Sequence, residues 1–269
     1  MKRLEDRVAV ITGAAGGIGQ SLAHALARAG CHLALVDIDA ARLDRVSETL
    51  REAGRRVSVH VADVASRAEM AALPAAVTRE HGGVHILVNN AGVSVAGRFE
   101  AVPLADLDWI FAVNVWGVVH GCHAFLPLLR AQDEAHIVNV GSSFGLVGMA
   151  GKTGYAATKA AVRGFSEALR AELAGSRVGL TVLYPGPVDS GIVQRGRAVD
   201  PAQQEAEARF LASRALPPER AARAMVRAIR QGRSRVLVGM DYRLIDWLAR
   251  VSPALAAWLA GRLAQRMPF

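Results

Sequence analysis

Residues 8–19 read Val8-Ala9-Val10-Ile11-Thr12-Gly13-Ala14-Ala15-Gly16-Gly17-Ile18-Gly19. A short apolar run meets a glycine-rich turn, and an alanine-rich helical stretch opens behind it. Gly13 lets the chain turn sharply. Gly17 and Gly19 allow close backbone approach to a pyrophosphate and tight helix–strand packing, and the helix N-terminus supplies N–H groups and positive potential. Glycine spacing alone is common; its place between a strand and a helix gives it meaning.

Outward from this stretch, short β-rich runs alternate with longer helical ones. The candidate strands are Val8–Ile11, His32–Val36, Val57–Val61, Ile86–Val88, Ile137–Val140, Leu180–Leu183 and Val236–Val238. Each gap is long enough for a crossover helix. Continuous apolar strands separated by helices imply a parallel sheet covered on both faces. Right-handed crossovers make this a doubly wound, Rossmann-like α/β fold with seven strands. No linker or repeat interrupts it, so residues 1–240 read as one dinucleotide-binding catalytic domain. Residues 187–217, rich in proline and glycine, form a long insertion after a strand's carboxyl end and are expected to be a lid. Residues 241–269 read as a helical extension of the same domain, with Ser252-Pro253 ending one helix and starting the next.

Asp37 follows the second strand, eighteen residues beyond Gly19. A carboxylate there can accept protons from both ribose hydroxyls of NAD and would repel the 2′-phosphate of NADP. The alternative is a turn aspartate or helix cap. Tyr155 is the one tyrosine with a lysine four residues on, Lys159, in a chain with only three lysines. Positions i and i+4 share a helix face. A phenol titrating near 10 is a poor base at neutral pH, and a neighbouring ammonium is expected to lower its pKa into a usable range. Ser142 follows the fifth strand and could polarise a carbonyl. Asn114 interrupts an apolar helical run, where asparagine is disfavoured.

Taken in order, the glycine loop, Asp63-Val64, Asn89-Asn90-Ala91-Gly92 and Tyr155-Ala-Ala-Thr-Lys159 resemble the short-chain dehydrogenase/reductase family over about residues 5–240. The resemblance implies a catalytic set of Asn114, Ser142, Tyr155 and Lys159, with Asn114 holding a water in a proton relay. It also implies a cofactor site: Gly13, Gly17, Ile18 and Gly19 at the pyrophosphate, Asp37 at the ribose, Asp63 and Val64 at the adenine, and Asn90, Ala91 and Gly92 beside the central strand. Tyr155, Lys159, Pro185, Gly186, Val188 and Ser190 would lie at the nicotinamide end. Ser190 stands where the family often has threonine. Members that prefer NADP carry a basic residue at the positions of Gly16 or Ile38, so NAD is the expected cofactor. The implied reaction is hydride transfer between NAD and a secondary alcohol or ketone. The alternative is a nucleotide-sensing protein without chemistry. Ser142, Phe144, Met149, Tyr155 and Ile192, with Val188 and Val193, are the candidate substrate contacts and favour a hydrophobic substrate.

The formal charge of +8 is carried by residues 195–269, which hold 14 arginines against 6 acids. They alternate with alanine on expected helices rather than with aromatics, so solvated helix faces are expected and nucleic acid is not. His120 and His123 share a helix face without a carboxylate or thiol partner, so no metal is expected. Cys31 and Cys122 are far apart and read as reduced core thiols. No leader is visible and no uninterrupted apolar run approaches the roughly 20 residues of a bilayer span, which points to the cytoplasm. A homodimer or homotetramer is implied by resemblance, though the tail extends past the family's usual end. Its stripe of Leu244, Leu248, Val251, Leu255, Trp258, Leu259 and Leu263 is expected to pack on the chain's own core or on a sister subunit. A substrate lid and an interfacial membrane anchor beside Arg243, Arg250, Arg262 and Arg266 are the other readings.

Overall fold

The apolar strands of the sequence pair as expected. In the computed structural model, which describes residues 1–264 without the side chains of 240–245, 260, 263 and 264, the elements run as follows. The chain forms β1 (Val8–Thr12), α1 (Gly17–Arg28), β2 (His32–Asp37), α2 (Ala40–Glu52), β3 (Val57–Val61), α3 (Arg67–His81), β4 (Ile86–Asn89), β5 (Val95–Ala96), α4 (Leu104–Phe111) and α5 (Gly117–Arg130). It continues through β6 (Ala135–Val140), α6 (Thr153–Glu172), β7 (Val178–Pro185), β8 (Arg197–Ala198), α7 (Pro201–Ala212), α8 (Pro218–Gln231), β9 (Arg235–Val238), α9 (Met240–Val251) and α10 (Pro253–Ala264).

The main sheet has seven strands in the order β3-β2-β1-β4-β6-β7-β9, all parallel. The chain leaves β1 towards β3, then crosses back to β4 and proceeds the other way. A crevice therefore opens between the carboxyl ends of β1 and β4, where ligands bind in such sheets. Strand alternation divides the core. Ala9, Ile11, Leu33 and Leu35 pack under α1, α2 and α8, while Val8, Val10, Ala34 and Val36 pack under α3, α5 and α6. Both faces are covered, which is why β1, β4 and β6 are buried along their whole length. Cys31 and Cys122 are free thiols buried in this core.

The helix ends follow local chemistry. Asp39 caps α2 by accepting from Arg42 N at 3.0 Å, and Asp200, followed by Pro201, caps α7 by accepting from Ala202 N at 2.8 Å. Gly232 ends α8 in the left-handed region. The arginines of α8 (Arg220, Arg223, Arg227 and Arg230) are exposed, while Ala221, Met225 and Ile229 are buried.

Three features depart from the sequence reading. Residues 187–217 contain a helix, α7, and a strand, β8, that pairs with β5 in a second small sheet. Residues 104–130 form one helical run with a π-turn at Ala112–Trp116. It is 27 residues long with an 18-residue stretch of mean hydropathy 1.4, long and apolar enough to cross a bilayer. The polar breaks at Asn114, His120 and His123 are outweighed in that average, but Val118, Cys122, Phe125 and Leu129 are buried in the core. Lastly, the chain's own core covers Leu248 only in part and leaves four other described residues of the tail's stripe uncovered. Val251 is 63% exposed and Trp258 54%, and Leu255 and Leu259 are exposed too. Ala256 is buried, and Asp246 pairs with Arg235 of β9, so the helices dock by other residues. Ser252 caps α10 through its bond from Leu255 N at 3.4 Å. Leu244 and Leu263, with Arg243 and Arg266, lie outside the described side chains.

Candidate active site

The carboxyl ends of β1, β2, β4, β6 and β7 border one cleft of about 510 Å³. Gly13 and Gly17 adopt positive φ, +66° and +55°, values that glycine takes without strain. Thr12 clamps the glycine loop to the end of β4: its Oγ1 accepts from Asn90 N at 3.0 Å and Ala91 N at 3.1 Å. The Asn90 amide donates to the carbonyls of Thr12 and Gly13. Asp37 accepts from Ala15 N at 2.9 Å and from Asp39 N at 3.1 Å, one bond on each oxygen. Each oxygen keeps acceptor capacity towards the cleft.

Gly13, Gly17, Ile18 and Asp37 line this cleft, as do Asp63, Val64, Asn90, Ala91 and Gly92, and on the β7 side Pro185, Gly186, Val188 and Ser190. Gly19 lies just behind, where a Cβ would strike the Gly13 carbonyl. A Cβ on Gly17 would stand 2.7 Å from Ser190 O. The loop can therefore hold a group only with its backbone, and it fits a pyrophosphate in that respect.

At the other end, β6 delivers Ser142 and α6 delivers Tyr155 and Lys159 to the same cleft. Ser142 Oγ accepts from Phe144 N at 3.2 Å, and its proximity to the Tyr155 phenol favours the phenolate. Burial nevertheless dominates and pushes the Tyr155 pKa up. Lys159 Nζ lies 5.8 Å from the Tyr155 ring centroid and donates to Val140 O at 3.0 Å. Burial pulls its own pKa down to about 8. In the cofactor-free protein burial thus works against both the phenolate and the ammonium.

Asn114 is fully buried in the π-turn. Its Oδ1 accepts from Val93 N at 2.8 Å, and its Nδ2 donates to Val93 O and to Thr158 Oγ1. Thr158 in turn donates to Tyr155 O at 2.7 Å. A second buried chain, from Asn89 Nδ2 to Asn139 Oδ1 (2.8 Å) and from Asn139 Nδ2 to Ser166 Oγ (2.9 Å), ties β4 through β6 to α6. The two ends of the cleft are therefore held in one polar framework.

The short chain dehydrogenase family model matches residues 7–200. The chain belongs to the short-chain dehydrogenase/reductase family. It is 38% identical over 255 residues to SadH of Mycobacterium tuberculosis, named as an oxidoreductase, spanning 93% of this chain and 92% of that one. A short-chain dehydrogenase/reductase from Burkholderia phymatum, solved with NAD, is 35% identical with a TM-score of 0.87, covering 95% of this chain and 96% of that one. LigD from Sphingobium sp. is 27% identical with a TM-score of 0.80, covering 94% of this chain and 97% of that one.

Phe144, Ile192 and Val193 line the cleft together with Trp109 and Leu211. Phe144 sets its ring edge-on to Tyr155, centroids 6.2 Å apart. Met149 is not among the residues lining the cleft. Six charged residues of the cleft escaped the sequence reading: Asp39, which caps α2, Asp189, and Arg42, Arg195, Lys152 and Glu207. Arg42, from α2, has its guanidinium against Gly16. Arg195, from the insertion, senses the charges of Asp37, Asp39 and Arg42. Lys152 and Glu207 form an ion pair at 2.6 Å. Arg42 and Glu207 sit on helices whose other charged residues are exposed, so nothing in their spacing marks them. Lys152 stood out only by the scarcity of lysine.

Proposed function

We propose that the chain is an NAD-dependent oxidoreductase that interconverts a secondary alcohol and its ketone. The observation that supports this most is the meeting, in one cleft, of the glycine cradle with the Ser142 and Tyr155 hydroxyls and the Lys159 ammonium. NAD, when bound, supplies the hydride acceptor or donor. Gly13, Gly17, Ile18 and Gly19 would hold its pyrophosphate, with Asp63 and Val64 at the adenine and Asn90, Ala91 and Gly92 along its middle. Pro185, Gly186, Val188 and Ser190 would flank the nicotinamide.

Tyr155 takes the alcohol proton in oxidation and returns it in reduction. Ser142, its hydroxyl oxygen accepting from Phe144 N, orients the reacting oxygen and donates to the carbonyl form. Lys159 stabilises the phenolate and holds the nicotinamide ribose. Asn114 has spent both amide protons and one lone pair of Oδ1. Its second lone pair borders Gly92 beside Lys159 Nζ, which is the place left for a relay water. The apolar wall of Phe144, Ile192 and Val193 suits a hydrophobic substrate body, with α7 as a lid. A homo-oligomer in the cytoplasm completes this reading.

The reading is tested with a panel of secondary alcohols, following NADH formation. Steady turnover with at least one supports it; NAD binding without any turnover contradicts it.

NAD is the expected cofactor because Asp37 would meet a ribose hydroxyl with an acceptor and a 2′-phosphate with a negative charge. Arg42 and Arg195 beside it soften that discrimination. Asp37→Ala is therefore expected to lower the ratio of kcat/KM for NAD over NADP about tenfold or more and to permit use of NADP, since the carboxylate goes and both guanidinium groups remain. An unchanged ratio would count against the ribose assignment. Gly17→Ala forces alanine into a left-handed conformation costing about 1–2 kcal/mol and drives its Cβ at Ser190 O. Nucleotide affinity, measured by calorimetric titration, should fall about tenfold, since 1.4 kcal/mol is a factor of ten.

A further inference from the structure

Among the described residues of α7 the single buried side chain is a carboxylate, Glu207. An apolar residue would fasten a lid at less cost, because each charge removed from water costs several kcal/mol before its partner compensates. Glu207 Oε1 meets Lys152 Nζ at 2.6 Å, and both side chains are 3% exposed. Lys152 Nζ also donates to Ser94 Oγ at 3.2 Å. Glu207 Oε2 is enclosed and has no hydrogen-bond partner. Lys152, Glu207 and Ser94 line the same cleft as Tyr155, and the charge of Glu207 is felt at the Tyr155 phenol.

We propose that the Lys152–Glu207 pair anchors a second, neutral hydroxyl of the substrate, so that the preferred substrates are diols and the matching hydroxyketones. This deepens the alcohol–ketone reading and rests on it. The choice of group follows from the pair's charges. A substrate carboxylate would be repelled by Glu207 and an ammonium by Lys152. An apolar group would leave Oε2 without a partner, at a cost of about 1–3 kcal/mol. A hydroxyl donates to Oε2 and can accept from the ammonium, which has three N–H groups and uses two on Glu207 and Ser94. The competing role is a latch that merely holds α7 down.

The test compares hexan-2-ol with hexanediols that keep the 2-hydroxyl and move the second hydroxyl along the chain, using the full-length enzyme and NAD. For at least one diol, kcat/KM should exceed that of hexan-2-ol about tenfold or more, since a site built for a hydroxyl discriminates strongly against its absence. In the double variant Lys152→Met with Glu207→Leu, which leaves neither charge unpaired, the ratio should collapse towards one. If that variant does not fold, Lys152→Leu with Glu207→Met provides the same comparison, since it too removes both charges and every hydrogen-bonding atom of the pair. A latch would change KM for hexan-2-ol and the diols alike and leave the ratio as it was, which overturns the proposal. So does oxidation of hexan-2-ol by the wild type with no diol preferred. If hexan-2-ol and every diol are inert, the anchor is overturned; the alcohol–ketone reading falls with it only if the whole panel of secondary alcohols is inert too.

Discussion

Tyr155→Phe is expected to lower kcat about 10³-fold, within the range that a positioned acid/base contributes, while nucleotide affinity stays within about twofold of wild type. The substitution removes one hydroxyl. The ring keeps its edge-on contact with Phe144, and the glycine cradle is untouched. Steady-state kinetics together with calorimetric titration of the nucleotide separate the two effects. A variant with a substantial fraction of wild-type kcat would refute the assignment of the proton to Tyr155. The pH dependence follows the same group. Burial pushes the Tyr155 pKa up, and oxidation needs the phenolate, so kcat/KM for the alcohol should rise with pH through the alkaline range. Ketone reduction needs the phenol and should fall over that range.

Lys159→Met is expected to move activity and stability in opposite directions. Burial lowers the Lys159 pKa from 10.5 to about 8, so the folded protein binds this proton less tightly than the unfolded chain. The resulting destabilisation is fully present below about pH 8. It is relieved as pH rises towards 10.5. At neutral pH it amounts to an order of 3 kcal/mol, reduced by about 1 kcal/mol for the hydrogen bond to Val140 O that the variant forfeits. Urea unfolding of the cofactor-free protein should therefore show Lys159→Met more stable than wild type at pH 7, with the advantage shrinking by pH 10. Turnover should fall about 100-fold or more and nucleotide binding should weaken, as expected for a residue with two roles. Loss of stability at pH 7 would mean that Lys159 is a structural lysine satisfied by its surroundings.

The parts of the fold that were readable in the sequence are those where one physical cause dominates. A parallel strand covered on both faces has to be apolar throughout, so β1, β2 and β4 announce themselves, and the ends carrying Gly13, Asp37 and Asn90 could be located from them. Tyr155 and Lys159 were readable because helical spacing alone brings them together. α7 was not, because the one side chain it buries is Glu207, so no apolar stripe marks it. β5 and β8 are two-residue strands whose pairing depends on contacts about a hundred residues apart. The balance of desolvation over charge at Tyr155 also escaped sequence reasoning, since burial is a property of the packed site. The tail shows the reverse failure. Val251, Leu255, Trp258 and Leu259 have helical apolar spacing, yet they are exposed on the single chain, because periodicity identifies a face without identifying what it packs against.

Hydride transfer from carbinol carbon to nicotinamide is the central claim, and isotope transfer tests it most directly. The enzyme is incubated with NAD and a secondary alcohol, taken from those that support turnover or from the whole panel if none does, carrying deuterium on its carbinol carbon. The recovered nucleotide is then analysed by mass spectrometry and NMR. The account predicts NADH with one deuterium on the nicotinamide ring, formed in step with the ketone and absent with Tyr155→Phe. Recovery of unlabelled NAD from an enzyme that demonstrably binds it would contradict the account and leave a nucleotide-sensing protein in its place.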